Sequence, residues 1–140
     1  MLLIWNSMRK LLVLFGAVLS LTLIGCETNA QNGFKDLSSE ELSEVLQNKM
    51  VQLIDVRTPK EYTAEHIKTS ININFFAATF PKEIEALDKE KPVYVYCRSG
   101  KRSVKSIALF KEAGFKEIYN LKGGILDWKS KEFEVEKVKN

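Results

Sequence analysis

Cysteine and histidine are scarce in this 140-residue chain, which carries two of the first and one of the second. No Cys-x-x-Cys pair occurs, which argues against a thioredoxin-like dithiol centre. The lone His66 makes no metal site by itself, and nothing in the chain implies a metal or a cofactor. Excess charge is lacking as well. The formal net charge is +3, and Arg9 and Lys10 stand in a first 25 residues without an acid, so the remainder holds 19 basic against 18 acidic side chains. That balance gives no compositional support to a nucleic-acid partner. No apolar run reaches the roughly 20 residues that a spanning helix needs. The longest, residues 11–24, follows Arg9-Lys10 and has the proportions of a signal peptide.

What is present fits one soluble domain. Hydrophobic residues make up 45% and charged residues 28% of the chain, an ordinary globular mixture. Leu23-Ile24-Gly25-Cys26 resembles a bacterial lipobox, in which a small residue precedes a cysteine that is lipidated and becomes the new N-terminus. Met8-Arg9-Lys10 makes a more usual signal-peptide start than Met1-Leu2-Leu3, and either start gives the same mature chain. The layout expected is therefore a lipoprotein signal peptide over 1–25, a polar tether over 26–33 and a domain over 34–138. The chain would be extracytoplasmic and lipid-anchored to a bacterial membrane, on the periplasmic side. Cys26 and Cys97 could in principle pair, but each has a separate setting, one at the end of an apolar run and one in a basic loop.

Within the domain, a short strand is expected over 34–37. Ser38 with Glu41 has capping-box spacing, and Leu42, Val45 and Leu46 recur at helical intervals, so a helix runs to about Asn48. Residues 50–56 form a nearly continuous β-rich run, as in a strand buried on both faces of a parallel sheet. Thr58-Pro59 gives a helix N-cap and first position, with an end near Ala64. Alternation over 70–74 reads as a strand, the aromatics of 75–80 as core or lid packing, with the lining of a substrate mouth as the alternative, and 81–87 as a helix. Another strand spans 92–96. A helix follows with Val104, Ile107, Ala108 and Lys111 along one face and Gly114 past its end. A fifth strand spans 115–121, and Gly123-Gly124 turns into a short helix bearing Trp128, expected as a packing anchor. The charged tail is expected to dock only by Phe133 and Val135. Alternating strands and helices predict an α/β fold, a mostly parallel sheet of about five strands with helices on both faces.

Cys97-Arg98-Ser99-Gly100-Lys101-Arg102-Ser103 is the stretch with the most chemistry. A cysteine leaving a buried strand at the start of a helix meets unpaired N–H groups and the positive end of the helix dipole, which favours thiolate. Arg98, Lys101 and Arg102 crowd three cations beside it, and Gly100 lets the backbone amides turn inward. Asp55 and Arg57 also leave an apolar strand, so both can gather with Cys97 beyond the carboxyl edge of the sheet.

This loop resembles the active-site loop of the rhodanese-like sulfurtransferases. Asp55-Val56-Arg57 is similar to the family's Asp-x-Arg segment, and Glu65-His66-Ile67 falls where its Gly-His-Ile usually stands, with glutamate in place of glycine. Gly123-Gly124 with Trp128 is similar to its closing element, and the resemblance covers about residues 34–135. It implies sulfur transfer in two covalent steps, with Cys97 as sulfur acceptor and Arg98, Ser99, Gly100, Lys101, Arg102 and Ser103 as the cradle. Lys101 and Arg102 are expected to hold an anionic donor. Asp55 and Arg57 are expected to fix the loop at second hand, through a salt bridge or hydrogen bonds to its backbone. His66 is expected to satisfy a turn beside Asn72 or Asn74. The partners implied are a small sulfur-donor anion, a thiol or cyanide acceptor, a protein persulfide and a membrane reached by the lipid, with the chain a monomer.

Two rivals belong to other classes. A catalytically silent binding module could use the same fold. A Cys-dependent phosphatase or arsenate reductase would also hold a thiolate in an amide ring. Such enzymes resemble one another in placing five residues between thiolate and arginine, whereas Arg102 follows Cys97 after four and Ser103 takes the arginine's place.

Overall fold

Four-residue strands, largely buried on both faces, form the middle of the sheet. In the computed structural model, which describes residues 33–138, β2 (Gln52–Asp55), β4 (Val93–Tyr96) and β5 (Ile118–Leu121) are its central strands. The shorter β1 (Lys35–Leu37) and β3 (Ile71–Asn72) form its edges, in the order β1-β5-β4-β2-β3 with every pairing parallel. The expected signal peptide, the lipidation site Cys26 and nearly all of the tether lie outside the described residues. Each strand is shorter than the sequence suggests. Met50 is fully exposed, and pairing within 115–121 begins only at Ile118.

Successive side chains of a strand point to opposite faces, and this alternation divides the core. Ile54, Val56, Val93, Val95 and Ile118 face one way, against Phe80 and Ile84 of α3 (Phe80–Glu85) and Ile107 and Phe110 of α4 (Lys101–Glu112). Leu53, Tyr94, Tyr96 and Leu121 face the other way, against Leu42 of α1 (Ser39–Asn48) and Ile125 and Trp128 of α5 (Gly124–Ser130). The α/β architecture with helices on both faces is thus observed, with a wholly parallel five-stranded sheet.

Local chemistry sets the helix ends. Ser38 and Glu41 form a reciprocal capping box at the start of α1. Thr58 and Glu61 form a second at α2 (Pro59–Ala64), with proline in its first turn. Gly114, at φ 96°, follows α4 where a left-handed residue ends the helix.

Three expectations are corrected. The buried face of α4 is Ser103, Ser106, Ile107 and Phe110, whereas Val104, Ala108 and Lys111 are exposed. Serine hydroxyls can be buried there because each bonds the carbonyl three residues back, Ser103 to Gly100 at 3.0 Å and Ser106 to Ser103 at 2.7 Å. His66 does not serve Asn72 or Asn74. Its ring stacks on Tyr62 at 4.1 Å, and its Nδ1 lies 3.0 Å from the Tyr62 carbonyl. The tail docks by more than two apolar side chains. His66 and Glu136 exchange backbone hydrogen bonds of 2.8 Å, the Val138 amide reaches the Thr63 carbonyl, and Trp128 donates to the Glu134 carbonyl.

Candidate active site

Cys97 is the first residue past β4 and continues the face of Val93 and Val95, so its side chain lies on the α4 side of the sheet. The loop then bends at Gly100, whose φ of 92° makes it the left-handed N-cap of α4. This bend brings the first-turn amides of α4 toward the sulfur. The Gly100 N–H donates to Sγ at 3.1 Å, and the Ser103 hydroxyl lies 3.5 Å from it. Burial of Cys97, which is 1% exposed, would raise its thiol pKa. The Ser103 hydroxyl and the amides of Ser103, Ser99 and Arg102 outweigh that effect, and the thiol is lowered from its ordinary value. The result is a buried thiol held toward thiolate by donors that the fold has already placed.

A second helix completes the loop from behind. Gly123 and Gly124 take φ values of 78° and 61°, which turn the chain from β5 into α5. The Ile125 amide then donates to the Cys97 carbonyl at 2.9 Å and the Leu126 amide to the Arg98 carbonyl at 3.1 Å. With these carbonyls bound outward, the neighbouring amides are free to face Sγ. The approach is so close that a Cβ on Gly124 would meet the Cys97 oxygen at 2.5 Å and the Arg98 carbonyl at 2.7 Å. Sequence reasoning read the two glycines as a turn and missed their contact with the Cys97 loop.

The expected cradle cations are not equivalent. Arg98, Ser99 and Lys101 are exposed around the loop. Arg102 is half-buried and bound in a two-bond pair by Glu61, with Nη1–Oε2 at 2.8 Å and Nη2–Oε1 at 2.6 Å. Its guanidinium also lies 5.7 Å from the ring centre of Phe76. Of the aromatics expected as core or lid, Phe80 is buried and Phe75 packs against the core, but Phe76 is exposed beside Arg102. Glu61, absent from the expected site, is therefore brought to it. The visible signal was its place three residues after Thr58. The Arg102 guanidinium and the Thr58 N–H and hydroxyl hold its carboxyl down at about 2, against the upward push of burial.

Asp55 and Arg57 form a buried pair of their own. The Arg57 Nε lies 2.9 Å from both carboxylate oxygens and Nη2 lies 2.6 Å from Oδ2. Nη2 also reaches the Glu65 carbonyl at 2.6 Å, and the guanidinium sits 5.7 Å from the ring centre of Tyr96. Among the described residues, no hydrogen bond joins either side chain to residues 97–103, so the expected direct tie to the loop backbone is not found. The pair instead packs on Tyr96, whose hydroxyl bonds Ser70 and the Ile67 amide on the face of the sheet opposite Cys97. Asn72 closes this region by donating to the carbonyls of Asp55 and Arg57 at 2.9 Å. Glu65, where glycine was the family's usual residue, has φ −168°, extended backbone open to any side chain, and pairs with Lys129 at 2.7 Å.

A parallel five-stranded α/β domain with a cysteine in an amide ring beyond its central strand defines a class, and the comparisons agree with it. The chain belongs to the rhodanese-like family, since the model of the Rhodanese-like domain matches residues 38–131. Thiosulfate sulfurtransferase GlpE of Coxiella burnetii is 36% identical over 97 residues, covering 69% of this chain and 89% of that protein. YqhL of Bacillus subtilis, named as uncharacterized, is 33% identical over 120 residues, covering 86% and 91%. A tRNA uridine(34) hydroxylase of Chlamydia felis is 34% identical, but the match spans only 34% of that longer protein. Among solved structures, a rhodanese-like domain protein from Staphylococcus aureus superposes with a TM-score of 0.66 at 28% identity, over 76% of this chain and all of that one.

Proposed function

We propose that the chain is a sulfurtransferase that carries sulfane sulfur on Cys97. The observation that carries this reading is the Cys97 sulfur held by the Gly100 amide and the Ser103 hydroxyl, with its thiol lowered from the ordinary value. With thiosulfate as donor, the Cys97 thiolate attacks the outer sulfur. The S–S bond of thiosulfate breaks, sulfite leaves with the electron pair, and Cys97 becomes a persulfide anion. The amide ring stabilises the negative charge now on the terminal sulfur. Cyanide or a thiolate then attacks that sulfur, leaves as thiocyanate or a new persulfide, and restores the Cys97 thiolate. The 36% identity to a thiosulfate sulfurtransferase supports this choice of donor. A protein persulfide is a further donor the same chemistry admits.

Arg98, Ser99, Gly100, Lys101, Arg102 and Ser103 form the cradle in this reading, Arg102 through its backbone amide while Glu61 holds its guanidinium, with Asp55 and Arg57 supporting it through Tyr96. Mass spectrometry after incubation with thiosulfate tests it. The parent chain should gain one sulfur on Cys97 and release thiocyanate when cyanide is added, while Cys97→Ala should do neither and stay folded. Phosphate-ester hydrolysis lost in Cys97→Ala, without sulfur gain in the parent, would overturn the assignment.

The lipobox-like Leu23-Ile24-Gly25-Cys26 supports lipidation of Cys26 and an extracytoplasmic place for the domain, acting as a monomer at a bacterial membrane. Cys26→Ser should release the chain from the membrane fraction. Unchanged fractionation and processed mass would refute the anchor.

A further inference from the structure

Arg102 stands in the first turn of α4, five residues beyond Cys97 and close enough for their charges to interact, yet its charge is already answered. Both of its terminal nitrogens are bound by Glu61. Glu61 is itself held from behind, because Oε2 accepts from the Thr58 amide at 3.0 Å and hydroxyl at 2.8 Å. The carboxylate is thus fixed in place by the cap of α2 and stays ionised well below neutral pH. Phe76 closes the guanidinium from another side. The pair is neither surface nor core, with side chains 19% and 30% exposed. An anion entering toward Cys97 therefore competes with Glu61 for Arg102, and the cost of that competition grows with the hold the anion needs.

We propose that Glu61 is a specificity-determining residue that withholds Arg102 from anions approaching Cys97. It would thereby disfavour doubly charged donors such as thiosulfate relative to singly charged ones such as an alkyl hydropersulfide. The inference rests on the sulfurtransferase reading for its substrates, but its test does not. Iodoacetate and iodoacetamide are alkylating agents of nearly equal size, one an anion and one neutral, and both report on Cys97 without any sulfur transfer. Glu61→Gln keeps a side chain able to cap Thr58 while removing the charge that binds Arg102.

The ratio of iodoacetate to iodoacetamide rates at Cys97 should rise by up to about fivefold in Glu61→Gln, the response expected for releasing a partly exposed pair. In an Arg102→Gln background the same change should move it far less, which separates release of Arg102 from simple removal of a negative charge. Arg102→Lys, which keeps the cation and gives up the two-bond clamp, should raise the ratio in the same direction and serves if Glu61→Gln does not fold. The kcat/KM for thiosulfate relative to an alkyl hydropersulfide should shift with the alkylation ratio. An unchanged ratio in Glu61→Gln, or an equal rise with and without Arg102, would overturn the proposal. A shifted ratio with no sulfur transfer by any variant would instead sink the sulfurtransferase reading and leave Glu61's control of anion entry standing.

Discussion

Gly124→Ala is the substitution that tests most directly how the Cys97 loop is held. The new Cβ would lie 2.5 Å from the Cys97 oxygen and 2.7 Å from the Arg98 carbonyl, inside any permitted contact, and those neighbours are backbone that cannot swing aside as a side chain would. Relief requires α5 and the loop to separate, which lengthens the bonds from Ile125 to Cys97 and from Leu126 to Arg98. Holding alanine at φ 61° costs about 1–2 kcal/mol, and an overpacked contact adds about 1–3 kcal/mol. A loss of roughly 2–5 kcal/mol is therefore expected in urea unfolding. The chemical effect should exceed the structural one. Once the Cys97 carbonyl is unbound, the amides at Ser99, Arg102 and Ser103 lose their aim at Sγ, and the thiol pKa should climb toward its ordinary value. Thiolate absorbance followed across pH reads that climb, and sulfur transfer should fall most at neutral pH. A variant with the parent's stability and the parent's thiol titration would refute the claim that α5 sets the loop.

Ser103→Ala removes the hydroxyl that does most to lower the Cys97 thiol, so the acid limb of the pH–rate profile should move to higher pH, with the deficit shrinking as pH rises past the variant's thiol pKa; an unmoved limb would show that the amides suffice. Because the folded thiol lies below the unfolded one, ionised Cys97 contributes no stability below its folded pKa, and its contribution grows as pH rises toward the unfolded value. The stability advantage of the parent over Cys97→Ala should therefore increase up to about pH 9 in urea melts, and a constant difference would contradict the lowered thiol. Arg57→Ala strands the buried Asp55 carboxylate and should cost about 3–5 kcal/mol of unfolding free energy, where a change under 1 kcal/mol would show that water replaces the guanidinium freely.

What could be read from the sequence was decided within a few residues of itself. Ser38 with Glu41, and Thr58 with Pro59, set helix starts by contacts one turn long, and the ends at Asn48 and Ala64 fell where expected. The nearly continuous apolar run at 50–56 and the continuous one at 92–96 announced a sheet covered on both faces, because two-sided burial removes alternation. The buried face of α4 was not legible. Serines 103 and 106 face inward beside Ile107 and Phe110, and apolar periodicity cannot register a hydroxyl satisfied by its own helix. The cysteine and its glycine were visible, but their partners were not. Glu61 reaches Arg102 across 41 positions of chain, and Gly124 meets Cys97 only because β5 lies beside β4.

The two amides of α5 that bind the carbonyls of Cys97 and Arg98 come from a segment made well after the cysteine. During synthesis, Cys97 emerges before β5, before Gly123-Gly124 and before the helix that orients its loop. Strand β1 must wait as well, since its sheet neighbour is β5, the last strand to appear. The donors that lower the thiol, at Ser99, Arg102 and Ser103, are already made by then, and α5 fixes their aim only when this later segment packs against the loop. Chains cut short before residue 124 should therefore show a thiol nearer its ordinary value than the parent's.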